Sequence, residues 1–148
     1  MAAFRITPIE PSVADTLRAR GGPVHVADQK PGYPCRRCLR DAEVGEEVVL
    51  VSHDPFLTDS PYRSASPIFL HRYSCDPPAE SDELPFQLTG RQLSVRSFDR
   101  AEMMIDAAVI DGHDLRDTIE RFFRAEAAHR IDVHNATRGC WAASVERR

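Results

Sequence analysis

The stretch Tyr33-Pro34-Cys35-Arg36-Arg37-Cys38-Leu39-Arg40-Asp41 constrains this chain more than any other segment. It sets two thiols and three guanidinium groups in one short turn stiffened by Pro34. Residues 28–41 follow neither a helical nor a strand period, and Pro31, Gly32 and Pro34 mark them as a turn-rich loop. Two sulfurs at Cys-x-x-Cys spacing can hold one tetrahedral metal ion, because the turn points both to one side. A closed structural zinc site needs two more ligands. His71 and Cys75, at His-x-x-x-Cys spacing, are the natural suppliers, with Cys140 or His134 as alternates. If residues 67–75 run on as a strand, His71, Tyr73 and Cys75 share one face.

The same residues admit a thiol-dependent redox reading. Arg36, Arg37 and Arg40 would favour thiolate and raise reactivity at neutral pH. Against it, the cysteine pair does not follow a strand and open a helix, as a thioredoxin-type motif does. The plainest reading is that the cysteines are small buried apolar residues, or an incidental disulfide.

A second constellation points to a small-molecule or anion-binding module. It comprises Arg36, Arg96, His134, Asn135 and Arg138. Arg138 offers a planar fork to a carboxylate or phosphate, with Asn135 and backbone N–H groups as further donors. The plainer alternative is that His134 and Asn135 hydrogen-bond the backbone of their own hairpin. Arginine is abundant here for a bland reason as well. Lys30 is the only lysine, as codon usage in a GC-rich genome would produce.

Elements can be placed along the chain by period and by breakers. A first strand at residues 4–8 precedes a helix at 10–20, which Pro11 or Ser12 starts and Gly21-Gly22 stop. Residues 24–27 make a marginal strand. Residues 46–52 make the strongest one, apolar enough to be buried on both faces. A strand at 67–73 follows, then an acidic loop. Residues 92–98 alternate cleanly, with Leu93, Val95 and Ser97 on one face. An apolar strand at 103–110 leads to the turn Asp111-Gly112 and an amphipathic helix at 114–127. Strands at 130–135 and 140–146 close the chain as a hairpin. This order predicts an α+β single domain: a largely antiparallel sheet, two main helices packed on it, and long irregular loops.

A length of 148 residues, 42% hydrophobic and 28% charged, suits one globular domain. The net charge of −4 argues against a nucleic-acid partner, which usually meets a basic surface. No apolar run approaches the roughly 18–20 residues that span a bilayer, and residues 1–11 lack the apolar core of a secretory signal. A cytoplasmic location follows as the default, and with it four cysteines read as ligands or thiols rather than a disulfide framework. No phosphate-cradling glycine loop, nucleophile elbow or carboxylate couple stands out. Substrate and oligomeric state have no signature in the chain.

Several segments together resemble one bacterial family. They are Tyr33-Pro34-Cys35-Arg36-x-Cys38-Leu39-Arg40-Asp41-Ala42, Gly45-Glu46-Glu47, Asp54-Pro55-Phe56, Ser60-Pro61-Tyr62, Pro67-Ile68-Phe69-x-His71, Cys75, Leu93-Ser94-Val95-Arg96 and Val133-His134-Asn135-Ala136-x-Arg138-Gly139-Cys140. The pattern is similar to the domain of unknown function 1203 family. The resemblance implies a stand-alone domain of about this length and brings no assigned activity with it. It marks Cys35, Cys38, His71, Cys75, Arg96, His134, Asn135, Arg138 and Cys140 as motif positions without roles.

Overall fold

The structure is a computed structural model that describes residues 3–79 and 81–148. Its first core grows from the alternation in residues 92–98. Strand β5 (Gln92–Phe98) pairs with β6 (Met104–Asp111) on one side and β7 (Arg130–Asn135) on the other, and β7 pairs with β8 (Trp141–Arg147). The first strand, β1 (Phe4–Thr7), closes the order β1-β8-β7-β5-β6, every pair antiparallel. The register sets Val95 beside Val133 and Val133 beside Ala143, so one face of the sheet carries a continuous apolar row. A helix, here α3 (Leu115–Phe123), lays Leu115, Ile119 and Phe122 on that row. These are the residues of its helical repeat.

The remaining strands form a separate antiparallel sheet of β2 (Val24–Val26), β3 (Glu47–His53) and β4 (Ser66–His71), in that order. The single predicted sheet is therefore two, each with its own main helix. The helix α1 (Pro11–Arg20) starts on a proline, ends at Gly21 with φ 77°, and buries Ala14 and Leu17 with Val49, Val51, Ile68 and Leu70. Val48 points the other way, to Ala27 and Ala42. The run at the centre of β3 is thus buried on both faces, as its composition implies. Trp141 of β8 joins the helix α1 core and stacks edge-on with His53 at 4.9 Å, which ties the sheets together.

A polar network crosses the same junction. Arg130 pairs with Glu102 and Asp132, and its guanidinium sits 4.9 Å from the Phe56 ring centroid and 5.2 Å from that of Phe98. Ser144 donates to Asp132 at 2.7 Å. Glu102 accepts the backbone N–H groups of Leu57 and Thr58, which pins the long loop after β3. Burial pushes the Asp132 carboxyl up, against the pull of Arg130.

Three boundaries depart from the sequence pattern. The last helix stops at Phe123, not near residue 127; beyond it the chain closes in tighter turns, and Arg147 takes the carbonyls of Phe123, Ala125 and Ala128 as acceptors. A short helix, α2 (Phe86–Thr89), forms between the acidic loop and β5, where the sequence pattern places no element. Strand β4 ends at His71, so Tyr73 and Cys75 do not continue its alternation, and Tyr73 is 69% exposed. Among the described residues no helix is long and apolar enough to cross a membrane.

The turn Asp111-Gly112 brings β6 onto the carbonyls of the segment around α2. A Cβ at Gly112 would meet the carbonyl oxygens of Arg91, Leu88 and Thr89 at 2.5, 2.5 and 2.6 Å. Backbone on three sides cannot give way as a side chain would. Gly112→Ala is therefore expected to cost about 2–3 kcal/mol, seen as a melting temperature lower by roughly 5–10 °C in calorimetry. An unchanged melting temperature would contradict this close approach.

Candidate metal centre

The cysteine loop is built as a tight hairpin. Pro34 and Asp41 form an antiparallel bridge, the Cys35 N–H donates to Arg40 O at 3.1 Å, and the Leu39 N–H donates to Cys35 O at 3.0 Å. Leu39 closes the turn at φ 58°, a left-handed conformation that costs about 1 kcal/mol outside glycine. The hairpin lies along β4: Cys35 pairs with Phe69 in a parallel bridge, and the Arg36 N–H donates to Phe69 O at 3.0 Å. This contact brings both sulfurs to the end of β4, where His71 is the last strand residue.

Cys75 arrives from the following loop rather than along the strand. Arg18, in the last turn of α1, fixes that loop. It donates to His71 O at 2.8 Å through Nε and to Cys75 Sγ at 3.5 Å. The result is a closed group of four donors. Cys35 Sγ lies 3.7 Å from Cys75 Sγ, and Cys38 Sγ lies 3.4 Å from His71 Nδ1. The donor atoms of Cys35, Cys38, His71 and Cys75 all lie within 4.8 Å of one another. A disulfide would hold two sulfurs at about 2 Å. Two sulfurs on one tetrahedral zinc stand roughly 3.8 Å apart, from Zn–S bonds of about 2.3 Å. The observed spacing fits the metal.

The surroundings suit the same purpose. Cys35 and Cys38 are fully buried. His71 points Nδ1 inward, and its Nε2 meets Glu46 Oε1 at 3.3 Å. A carboxylate on the outer nitrogen holds a proton there, so that Nδ1 becomes the ligand once a cation displaces its own proton. The thiol group of Cys35 is held far below its ordinary range by hydrogen bonds from Cys38 and Cys75. Cys35 and Cys38 push His71 up to about 10. The Cys75 thiol is pushed up by the same two neighbours. Three thiols and an imidazole this close share protons that a cation would displace.

Residues 32–147 match the family model described as Protein of unknown function (DUF1203). The chain belongs to this family. The matched segment includes all four donors and leaves Arg18 outside it. No curated protein and no solved structure matches the chain.

Of the other sequence-derived candidates, Cys140 lies apart from the four donors as a free, part-buried cysteine. It lines a cavity with Arg36, Asn135 and Arg138. Arg96 is part-buried, and its Nε donates to Ser94 Oγ at 3.2 Å; neither it nor His134 lines that cavity. Arg36 is 2% exposed, donates to Gln87 Oε1 at 2.7 Å, and is brought down to about 10 by burial and then by Arg91. The supporting residues Arg18, Glu46, Gln87 and Arg91 were not among the site candidates read from the sequence. Arg18 reads there as a helix-terminal cation and Glu46 as the start of a strand, while Gln87 and Arg91 carry no signal.

His134 serves its own hairpin. Its Nδ1–H donates to Gly139 O at 2.8 Å, and burial pushes its pKa down to about 4. The unfolded imidazole titrates near 6.5. Between those values the unfolded chain binds the extra proton, so stability falls as pH falls through the window. The wild-type protein should lose roughly 3 kcal/mol more than His134→Gln between pH 7 and pH 4 in urea unfolding. Equal losses in the two proteins would remove His134 as the buried neutral group.

Proposed function

We propose that Cys35, Cys38, His71 and Cys75 hold one zinc ion and that its role is structural. The observation that carries this reading is the meeting of three thiols and an imidazole, from three separate segments, within 4.8 Å. Three soft thiolates and one imidazole suit zinc among the common divalent ions. With four protein donors no position stays open for water or substrate, and such sites tie structure together rather than catalyse. When bound, the ion would neutralise the clustered thiolates and link the hairpin of residues 34–41 and the loop carrying Cys75 to the end of β4. The burial of Cys35 and Cys38 favours this reading over a redox thiol, which needs an accessible sulfur. Reduced cysteines of this kind fit a cytoplasmic setting.

Protein produced with zinc available is expected to carry about one zinc per chain by elemental analysis, and Cys38→Ala to lose it. Chelation should lower stability by roughly 3–5 kcal/mol, as the loss of a structural metal does. Zinc occupancy should also fall as pH drops from 7 toward 5, because protons compete for the thiolates and for His71 Nδ1. Metal-free protein under zinc-replete production would end the proposal.

A further inference from the structure

Along the first half of β4, beside Pro67, Ile68 and Phe69, lies a cavity of about 660 Å³. That is the size of ordinary small-molecule sites. Three arginines line it: Arg36 from the cysteine hairpin, Arg91 from the turn before β5, and Arg138 from the β7–β8 hairpin. No aspartate or glutamate lines it, in a chain whose net charge is −4. Asp41, outside the lining, lies 3.9 Å from the Arg91 guanidinium and also acts on the charge of Arg36. Among the described residues Arg36 forms no ion pair, its one side-chain acceptor being the neutral Gln87. Arg138 is exposed and has no hydrogen-bond or ion-pair partner among the described residues.

Two further features give the cavity polarity. Asn135 lines it and holds a buried Oδ1 with no hydrogen-bond partner. A buried acceptor without a donor costs about 1–3 kcal/mol, and a ligand donor would recover it. The opposite wall is apolar, made by Leu50, Ile68 and Phe69.

We propose that this cavity binds a small organic anion: a carboxylate or phosphate head against Arg91, Arg138 and Arg36, a flat apolar body against Ile68 and Phe69, and a hydroxyl or N–H donor for Asn135. Guanidinium forks match carboxylate and phosphate oxygens in pairs. The site also accounts for two motifs that lie about a hundred residues apart. The Cys-Arg-x-Cys turn supplies Arg36, and the His-Asn-Ala-x-Arg-Gly-Cys hairpin supplies Asn135 and Arg138. The metal ligands flank Arg36 in sequence, but the anion site stands on its own lining residues and not on the identity of the metal.

The test uses the full chain as purified, with 4-hydroxybenzoate, phenyl phosphate and inorganic phosphate as probes in calorimetric titration and thermal shift. At least one of the two aromatic probes is expected to bind and raise the melting temperature, and to bind more tightly than inorganic phosphate. The better of the two identifies the head group. Arg138→Ala, whose side chain is exposed and outside the core, and Arg91→Gln should each weaken that probe about tenfold or more without changing the circular dichroism spectrum. The proposal is overturned if neither aromatic probe binds up to about 10 mM. It is equally overturned if both variants bind as well as wild type, or if inorganic phosphate binds as tightly as the better aromatic probe. Zinc content measured on the same samples separates this result from the fate of the metal centre.

Discussion

The parallel bridge between Cys35 and Phe69 holds the cysteine hairpin against the free edge of β4. An edge strand presents unpaired N–H and C=O groups, and proteins usually cover them. Here the cover is a loop without the apolar face that would let it pack as a helix or strand. Its hold on the sheet is a few backbone hydrogen bonds, the buried side chains of Cys35, Cys38 and Leu39, and the donor group that ends at His71 and Cys75. Everything of functional interest follows from that docking. It points the two sulfurs to one end of β4, and it sets Arg36, between them in sequence, in the lining of the arginine cavity.

A second constraint keeps the two sheets in register. Arg130, Glu102 and Asp132 are charged groups that are nearly or fully withdrawn from water, and each is paired. Pairs of this kind add little net stability relative to apolar residues, yet removing one partner leaves a costly bare charge. The network therefore acts mainly to specify one arrangement of the loop after β3 against the first sheet. Trp141 and His53 complete the junction with an apolar contact. The cavity between the arginines depends on that arrangement, since its walls come from both sheets.

The strands were largely legible because period-two alternation records which face is buried. Leu93, Val95 and Ser97 show this best, all fully buried on the predicted face. The end of α3 was not legible: tighter turns take over beyond Phe123, and Arg147 reaches the Phe123 carbonyl from a strand 24 residues later. The division into two sheets was not legible either. Alternation marks a strand's buried face and says nothing about which strand lies beside it. At the candidate metal centre, residue type and spacing pointed to Cys35, Cys38, His71 and Cys75. The strand logic offered for His71 and Cys75 was wrong, since β4 ends between them and Arg18 steers the loop that follows.

By itself, then, the sequence determined the strand faces, the two helices, the turns, and the donor types able to bind a soft metal. These are local properties, set by side-chain chemistry and by backbone limits over a few residues. Tertiary structure alone decided which donors meet. It brought His71 and Cys75 to the cysteine hairpin and sent Cys140 to the arginine cavity. It left His134 bonded to its own turn, and it gathered Arg36, Arg91 and Arg138 from distant segments around one space. The physical reason is that convergence depends on how two sheets pack. Packing is settled by the sum of many weak contacts across the whole chain, which no short segment records.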